Sequence, residues 1–393
     1  MKFRCERDVL VDALVTTGRA AGSGTGVAPA LSGAHLLLAG DTLRLTATDR
    51  DLTIQVRAQV AGQEDGACVV PARLTGDIVR SLEPGAVVVE ATGDEARISS
   101  GRSQFGVRTY PEEEFPRVTL PLPPAVTVRA SELSEAMRQV VRAASADDTR
   151  PTLTGVLLAA EGDGLRLVAT DSYRLAQRDL AGTDILAEDQ QVLVPARALA
   201  ELQRLLAASG GPAAVVPGGE AAPEPARSEA GARSASERRL LFRLGDLDAT
   251  FEVGAVTLTT RLIKAEFPNT RNLFPASYPN RLVVGKEALL DAVRRVKLLV
   301  RDANSPVRMA LGPDGIQLTA SDQERGHASE DVDAKYEGAE LTIAFNPTYL
   351  IDGVEAVVGD EVLLEIVDGS RPATVRANDA DPYRYLLMPV RVS

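Results

Sequence analysis

One unit is written three times along this chain, in a fixed order, and that internal repeat restricts the fold to tandem copies of one small domain. The first marker is Leu43-Arg-Leu-Thr-Ala-Thr-Asp49, matched by Leu165-Arg-Leu-Val-Ala-Thr-Asp171 and by Ile316-Gln-Leu-Thr-Ala-Ser-Asp322. Apolar and polar or small residues alternate in all three, as in a half-buried strand. The second is Val69-Val-Pro-Ala-Arg73, matched by Leu193-Val-Pro-Ala-Arg197 and more loosely by Ala344-Phe-Asn-Pro-Thr348. Each sets a proline at the mouth of a helical apolar pattern, where its missing N–H costs nothing. The third is Glu114-Phe-Pro116 and Glu266-Phe-Pro268; copy three closes instead on Tyr385-Leu-Leu-Met-Pro-Val-Arg391.

Asp49 and Asp171 are 122 residues apart, and Asp171 and Asp322 are 151 apart. The surplus falls on residues 207–239, rich in Ala, Gly, Pro, Ser, Glu and Arg and poor in large apolar side chains, which predicts a flexible insertion within copy two. Proline-rich joints at Leu120-Pro-Leu-Pro-Pro124 and Phe274-Pro-Ala-Ser-Tyr-Pro279 divide the chain into domains of 1–122, 123–276 and 277–393. Each copy reads as strand, helix, several strands, a second helix after the proline marker, then more strands. That order, without regular β-α-β crossovers, predicts an α+β fold with two helices and antiparallel sheets per copy.

The formal charge is −12, which opposes nucleic-acid binding unless the basic residues are sorted onto one surface. They are sorted by helix phase. In copy three Leu289, Val293, Val296 and Val300 mark an apolar face, and Arg294, Lys297 and Arg301 share a neighbouring stripe. Copy two repeats the phase with Leu133, Met137, Val140 and Ala144, placing Arg138 and Arg142 on the matching stripe; in copy one Leu10 and Leu14 are apolar and Arg19 is the counterpart of Arg142. The second helices carry Arg73 and Arg80 in copy one and Arg197 and Arg204 in copy two, each pair on one face. Related domains set about a closed ring would line its inside with these stripes and leave the surplus acid outside. A ring threaded on double-stranded DNA needs little affinity, so a net acidic chain can hold a polyanion without reading its sequence.

Other chemistries lack their residues. His35 and His327 stand far apart in no metal-ligand spacing, and no metal or cofactor is expected. Gly22-Ser-Gly-Thr-Gly26 lacks the lysine and hydroxyl of a phosphate loop, Asp147-Asp148 reads as a turn after a helix, and no nucleophile elbow occurs. Cys5 and Cys68 read as buried small apolar residues. With no run of eighteen apolar residues and no leader pattern, a soluble cytoplasmic protein with no membrane role is expected, and no catalytic residue is identified.

The triplicated architecture, Val168-Ala-Thr-Asp-Ser-Tyr-Arg-Leu175, Glu266-Phe-Pro268, Ile343-Ala-Phe-Asn-Pro-Thr-Tyr-Leu350 and the closing Tyr385–Arg391 motif resemble the bacterial beta sliding clamp family, the DNA polymerase III beta subunits. The resemblance spans the chain apart from the insertion. It implies a non-catalytic processivity factor: a head-to-tail homodimer of three-domain protomers, forming a six-domain ring with helices inside and sheets outside. It also implies that the clamp loader, the replicative polymerase and repair proteins dock short peptides between domains two and three. The residues implied for that pocket are Leu153, Thr170, Ser172, Tyr173, Arg174, Leu175, Pro268, Leu273, Asn346, Tyr349, Ser370, Pro372, Leu386, Leu387, Met388, Pro389, Val390 and Arg391. At the dimer seam, Phe105 and Val107 are expected to meet Leu298 and Leu299 of the neighbour, with Glu324, Glu330 and His327 nearby.

The chain departs from the family where DNA-near loops carry Thr25-Gly26 and Asp148, where Asn272 replaces a basic residue at the pocket rim, and at Asn304. These changes motivate a second reading, a specialised paralogue acting as an interaction scaffold with altered partner or inhibitor selectivity. A carbohydrate- or nucleotide-processing enzyme has no residues in its favour.

Overall fold

The computed structural model describes residues 1–24, 26–118, 124–183, 185–208, 239–300, 305–322 and 324–391. Thr25, Arg301, Asn304, most of the first proline joint and the insertion from 209 to 238 lie outside the described residues. The described ends of the expected insertion are regular: a helix runs to Ala208 and a strand opens at Arg239.

Among the described residues two α-helices belong to each copy, as the repeat predicts. They are α1 (Arg7–Gly18) and α2 (Ala72–Ser81), α3 (Ala130–Val140) and α4 (Ala196–Ala208), and α5 (Lys286–Lys297) and α6 (Pro347–Ala356). Their apolar phases hold within the helices, whereas Ala144 and Val300 lie beyond the ends of α3 and α5 and are half-buried. Leu10 and Leu14, Leu133, Met137 and Val140, and Leu289, Val293 and Val296 are all buried. Three cations in the last turn of α5, Arg294, Arg295 and Lys297, complement the negative end of its dipole. Helix α6 starts on Asn346, whose side-chain oxygen accepts from the backbone N–H of Thr348 at 2.9 Å and of Tyr349 at 3.3 Å, followed by Pro347 in the first turn.

The chain forms two compact units that cut across copy two: Met1–Ser131 with Arg197–Leu262, and Glu132–Ala196 with Ile263–Ser393. The cut follows from shared sheets, because the last strand of one copy is hydrogen-bonded into the sheet of the copy before it. In the first unit an eight-stranded sheet runs Val126–Arg129, Arg239–Leu244, Asp248–Val253, Val256–Arg261, Leu52–Gln59, Thr42–Thr48, Gly33–Ala39, Gly66–Pro71. Copy two's Val256–Arg261 joins copy one there, antiparallel, with Leu258 opposite Ile54. In the second unit a nine-stranded sheet repeats the device. Copy three's Tyr383–Leu387 pairs with copy two's Arg174–Leu180, setting Leu386 opposite Leu175.

Strand alternation places the core. Leu43, Leu45 and Ala47 are fully buried while Arg44 between them is exposed, and Leu165 and Leu167 repeat the pattern. Cys5 and Cys68 are free and buried, and burial pushes both thiols up to about 12. No helix among the described residues is long and apolar enough to cross a membrane.

Candidate peptide-docking surface and basic helix faces

Within the second unit, the segment after Gly164–Thr170 turns on a Thr-Asp pair. The Thr170 hydroxyl accepts from the Ser172 N–H at 3.2 Å, and one Asp171 oxygen accepts from the Tyr173 and Arg174 N–H groups at 2.9 and 3.0 Å. Ser172 is thereby held at a φ of 82°, a conformation L-residues seldom adopt. The turn throws Tyr173 outward, 59% exposed, and feeds Arg174 and Leu175 into the sheet.

Arg174 organises the corner. It donates to Asp171 at 2.9 Å, to Asp352 of α6 at 2.5 Å and to the Arg142 carbonyl at 2.5 Å, and its guanidinium lies 4.3 Å from the centre of the Tyr349 ring. Burial works against its charge, but Tyr385 and the carboxylates of Asp352 and Asp171 outweigh burial and hold the guanidinium protonated above its ordinary range. Tyr349 in turn stacks against Tyr173 with ring centres 6.4 Å apart, and the Met388 N–H donates to the Tyr173 carbonyl at 2.9 Å. On the other sheet face Val168, Leu175 and Leu386 form a buried apolar cluster covered by Leu157, Phe267 and Phe274.

Exposed apolar groups beside this frame are Tyr173, Leu273 and Met388, which are 59%, 49% and 41% exposed. A surface with such anchors over a hydrogen-bonded floor suits an extended peptide bearing hydrophobic side chains. The residues implied by the family resemblance divide into several roles. Tyr173, Arg174, Tyr349 and Met388 come together at the corner. Leu175 and Leu386 are core beneath the surface, Leu153 and Thr170 are buried nearby, and Pro268 and Leu273 are exposed in the segments flanking Phe267 and Phe274. Asn346 spends its side-chain oxygen on capping α6, which fixes Tyr349. Ser370 bonds its own loop at Asp368, with Pro372 two residues on, and the Val390 N–H donates to the Ala344 carbonyl between Pro389 and exposed Arg391.

Leu387 offers no surface: it is fully buried and, one residue from Leu386, its side chain lies on the opposite sheet face. Sequence reading also missed Asp171, Asp352 and Phe274. Asp352 carries a signal that could have found it, since it follows Tyr349 by one helical turn and shares its face.

Most of the predicted basic stripe residues are engaged within the chain. In the first unit Arg80 pairs with Asp77 at 3.0 Å, Arg197 with Asp49 at 2.5 Å, Arg204 with Glu201, and Arg19 approaches Glu201 at 4.0 Å. In the second, Arg138 pairs with Glu135 at 2.7 Å and donates to the Glu355 and Ala356 carbonyls at 3.2 and 3.0 Å, closing the free end of α6. Glu355 accepts from both Arg142 at 2.6 Å and Arg294 at 2.8 Å. Burial raises the Glu355 carboxyl, but the two guanidiniums outweigh it and hold it below the usual range. Arg73 and Lys297 have no ion pair among the described residues. A stripe largely neutralised by its own carboxylates can release few counterions.

At the expected seam, Phe105 is 37% exposed and Leu298 78% exposed, with Leu299 half-buried. Val107 is a correction: at 2% exposure it faces the interior of its sheet, because it pairs with buried Ala96 on the inward side. Its strand Ser103–Arg108 and the strand Gly326–Val332 are sheet edges with backbone groups open on one side. Glu330 lies on the latter, bonded to Arg295, while Glu324 and His327 are exposed beside it. His35 stacks on Phe115 and bonds Glu112 at 3.1 Å.

Three α+β copies that share their sheets define a clamp-type scaffold. Comparison with known proteins is specific about which. Family models of the DNA polymerase III beta subunit match in chain order: the N-terminal domain at residues 1–121, the central domain at 127–269 and the C-terminal domain at 271–391. The beta sliding clamp of Streptomyces coelicolor is 33% identical over 405 residues, covering the whole of both chains. A DnaN sliding clamp from Bartonella birtlesii bound to griselimycin superposes with a TM-score of 0.88 at 27% identity, and a DNA polymerase sliding clamp from Bacillus subtilis with 0.85 at 26%; each comparison covers both chains fully. The chain belongs to the DNA polymerase III beta subunit family, the beta sliding clamps.

Proposed function

We propose that the chain is a DNA sliding clamp: two protomers close head to tail into a ring around duplex DNA and carry no catalytic step. The ring tethers the replicative polymerase, the clamp loader and repair proteins through short peptides docked at the Tyr173, Tyr349 and Met388 corner. The observation that carries this is full-length family membership together with that corner, where an exposed apolar rim sits on an ion-paired floor. Two exposed apolar side chains, Phe105 and Leu298, beside separate open sheet edges support edge-to-edge closure.

Retention on DNA comes from topology rather than affinity. Six of the basic side chains proposed to face DNA hold carboxylates of their own chain, so phosphate contact is weak and sequence-blind. Loading the protein onto nicked circular DNA and then cutting the circle tests this: retention should vanish on linearisation at constant salt. Equal retention on both forms would refute encirclement. The mass in solution should be that of a dimer.

A further inference from the structure

The apolar cluster of Val168, Leu175 and Leu386 has a counterpart in copy one that is polar and open. In copy two Val168 lies directly opposite Leu157 on one neighbouring strand and Gln177 on the other, with Phe267 packed over the cluster. The 122-residue offset between the copies puts Thr46 at the place of Val168, His35 at that of Leu157 and Gln55 at that of Gln177. The pairing is kept, with Thr46 opposite both His35 and Gln55, and Phe115 of the Glu-Phe-Pro marker stands for Phe267.

Strand alternation turns Thr46 and Gln55 away from the core, because Leu45, Ala47, Ile54 and Val56 fill the inner face of the sheet. The two side chains help to line a cavity of about 510 Å³. Its cover, residues 112–118, is pinned by the hydrogen bond between His35 Nε2 and Glu112 at 3.1 Å and by the stack of His35 on Phe115, with ring centres 5.3 Å apart. Thr46 is 3% and Gln55 8% exposed, yet neither side chain has a hydrogen-bond partner among the described residues. The matching Gln177 is engaged: with its amide turned to satisfy both, its oxygen accepts from Arg384 at 2.8 Å and from Arg166 at 3.1 Å. A buried carboxamide and hydroxyl without partners carry a desolvation cost, which an occupant with matching groups offsets.

We propose that this cavity binds the carboxamide side chain of a glutamine- or asparagine-bearing peptide segment of a partner. Gln55 can donate to and accept from a single amide, and Thr46 directly opposite supplies one more donor or acceptor. Leu37, Pro116 and Val118 give the walls an aliphatic stem would touch. Arg44 and Arg117 are matched in the same lining by Glu112 and Glu113, so a phosphate or carboxylate gains no net attraction. Phe115 is 8% exposed and already stacked, which leaves no ring face for a sugar or a nucleobase. The space is several times that of one side chain, leaving room for backbone on either side and favouring a peptide over a free amide. The site uses no residue of the Tyr173 corner and does not depend on docking there.

Fluorescence anisotropy on the full-length protein tests it, with the fluorescein-labelled peptide Gly-Ala-Gln-Ala-Gly as probe; this peptide has no large apolar side chain for the Tyr173 corner to hold. The wild type should bind it at least tenfold more tightly than the same peptide with leucine or glutamate in place of glutamine. The Thr46→Val/Gln55→Leu double variant should bind it at least tenfold more weakly, whereas Thr46→Ser, which keeps the hydroxyl, should bind it as wild type does. Valine is the residue copy two carries at this place, and both replacements remove unpartnered polar groups, so a circular-dichroism melt should show the double variant unfolding no lower than wild type. The comparison of the three peptides needs only the wild type and decides the matter without the variant. The inference is overturned if the glutamine peptide does not bind, if it binds no better than the leucine or glutamate peptide, or if the folded double variant binds it as wild type does. Competition by N-acetylglutamine amide as effective as that by the unlabelled peptide would overturn the peptide as occupant.

Discussion

Truncating Met388 and Leu175 to alanine separates docking from packing, because the two residues sit at the same corner with opposite exposure. Met388 is 41% exposed. A docked peptide that covers the exposed part, roughly 80 Å², gains ~2 kcal/mol at about 25 cal/mol per Å², or about 30-fold in Kd. Its removal should cost about 1 kcal/mol of stability, well below the cost at Leu175, since two-fifths of the residue is already in water. Leu175 is 1% exposed within the Val168 and Leu386 cluster. Its truncation leaves a cavity and should cost ~2–5 kcal/mol of stability. Urea denaturation gives the stability difference, and anisotropy with a leucine- and phenylalanine-bearing peptide gives the affinity difference. If Met388→Ala binds the peptide as wild type does while Leu175→Ala unfolds as predicted, the corner is packing alone and the docking assignment is wrong.

Replacing Asp352 by Asn leaves Arg174 with Asp171 as its remaining carboxylate, which should lower stability by about 1–3 kcal/mol in urea and weaken peptide binding through the loosened Tyr349; unchanged affinity would separate the ion pair from docking. Glu355 is held below the usual carboxylate range, so its stabilising contribution is fully present above the ordinary glutamate pKa and is lost as pH falls through its depressed value. The urea-midpoint gap between wild type and Glu355→Gln should therefore be constant at neutral pH and close on acidification. Arg73→Ala and Lys297→Ala should weaken low-salt binding to a short linear duplex more than Arg80→Ala and Arg204→Ala, whose guanidiniums already hold Asp77 and Glu201; a uniform loss would contradict the pairing argument. Cys5 and Cys68, buried with thiols raised to about 12, should react with a thiol reagent only on unfolding, which an absorbance time course in urea follows.

The repeat, the helix phases and the half-buried strands were legible because they follow from periodicity, which each segment carries locally. The sharing of sheets was not. Nothing in Val256–Arg261 or Tyr383–Leu387 says that its hydrogen-bond partner lies in the preceding copy, since any strand edge offers the same backbone groups. For the same reason Leu386 and Leu387 could not be told apart: their faces are assigned only once the register against Arg174 and Leu175 is known, and a one-residue shift exchanges them.

Charge was harder still. Arg138, Arg142 and Arg294 all reach Glu355, and whether a surface arginine is free for phosphate depends on acids far away in sequence. Glu355, which binds both Arg142 and Arg294, is 213 residues from the first of them. Counting cations on a helix face therefore overstates the grip of such a face on DNA, and a sliding clamp tolerates the overstatement because closure around the duplex, rather than adhesion to it, prevents escape. Weak contact is what lets a threaded ring move: every phosphate held firmly would add a barrier to sliding, whereas arginines already paired with their own carboxylates can exchange partners with little net change in charge–charge energy as the backbone passes.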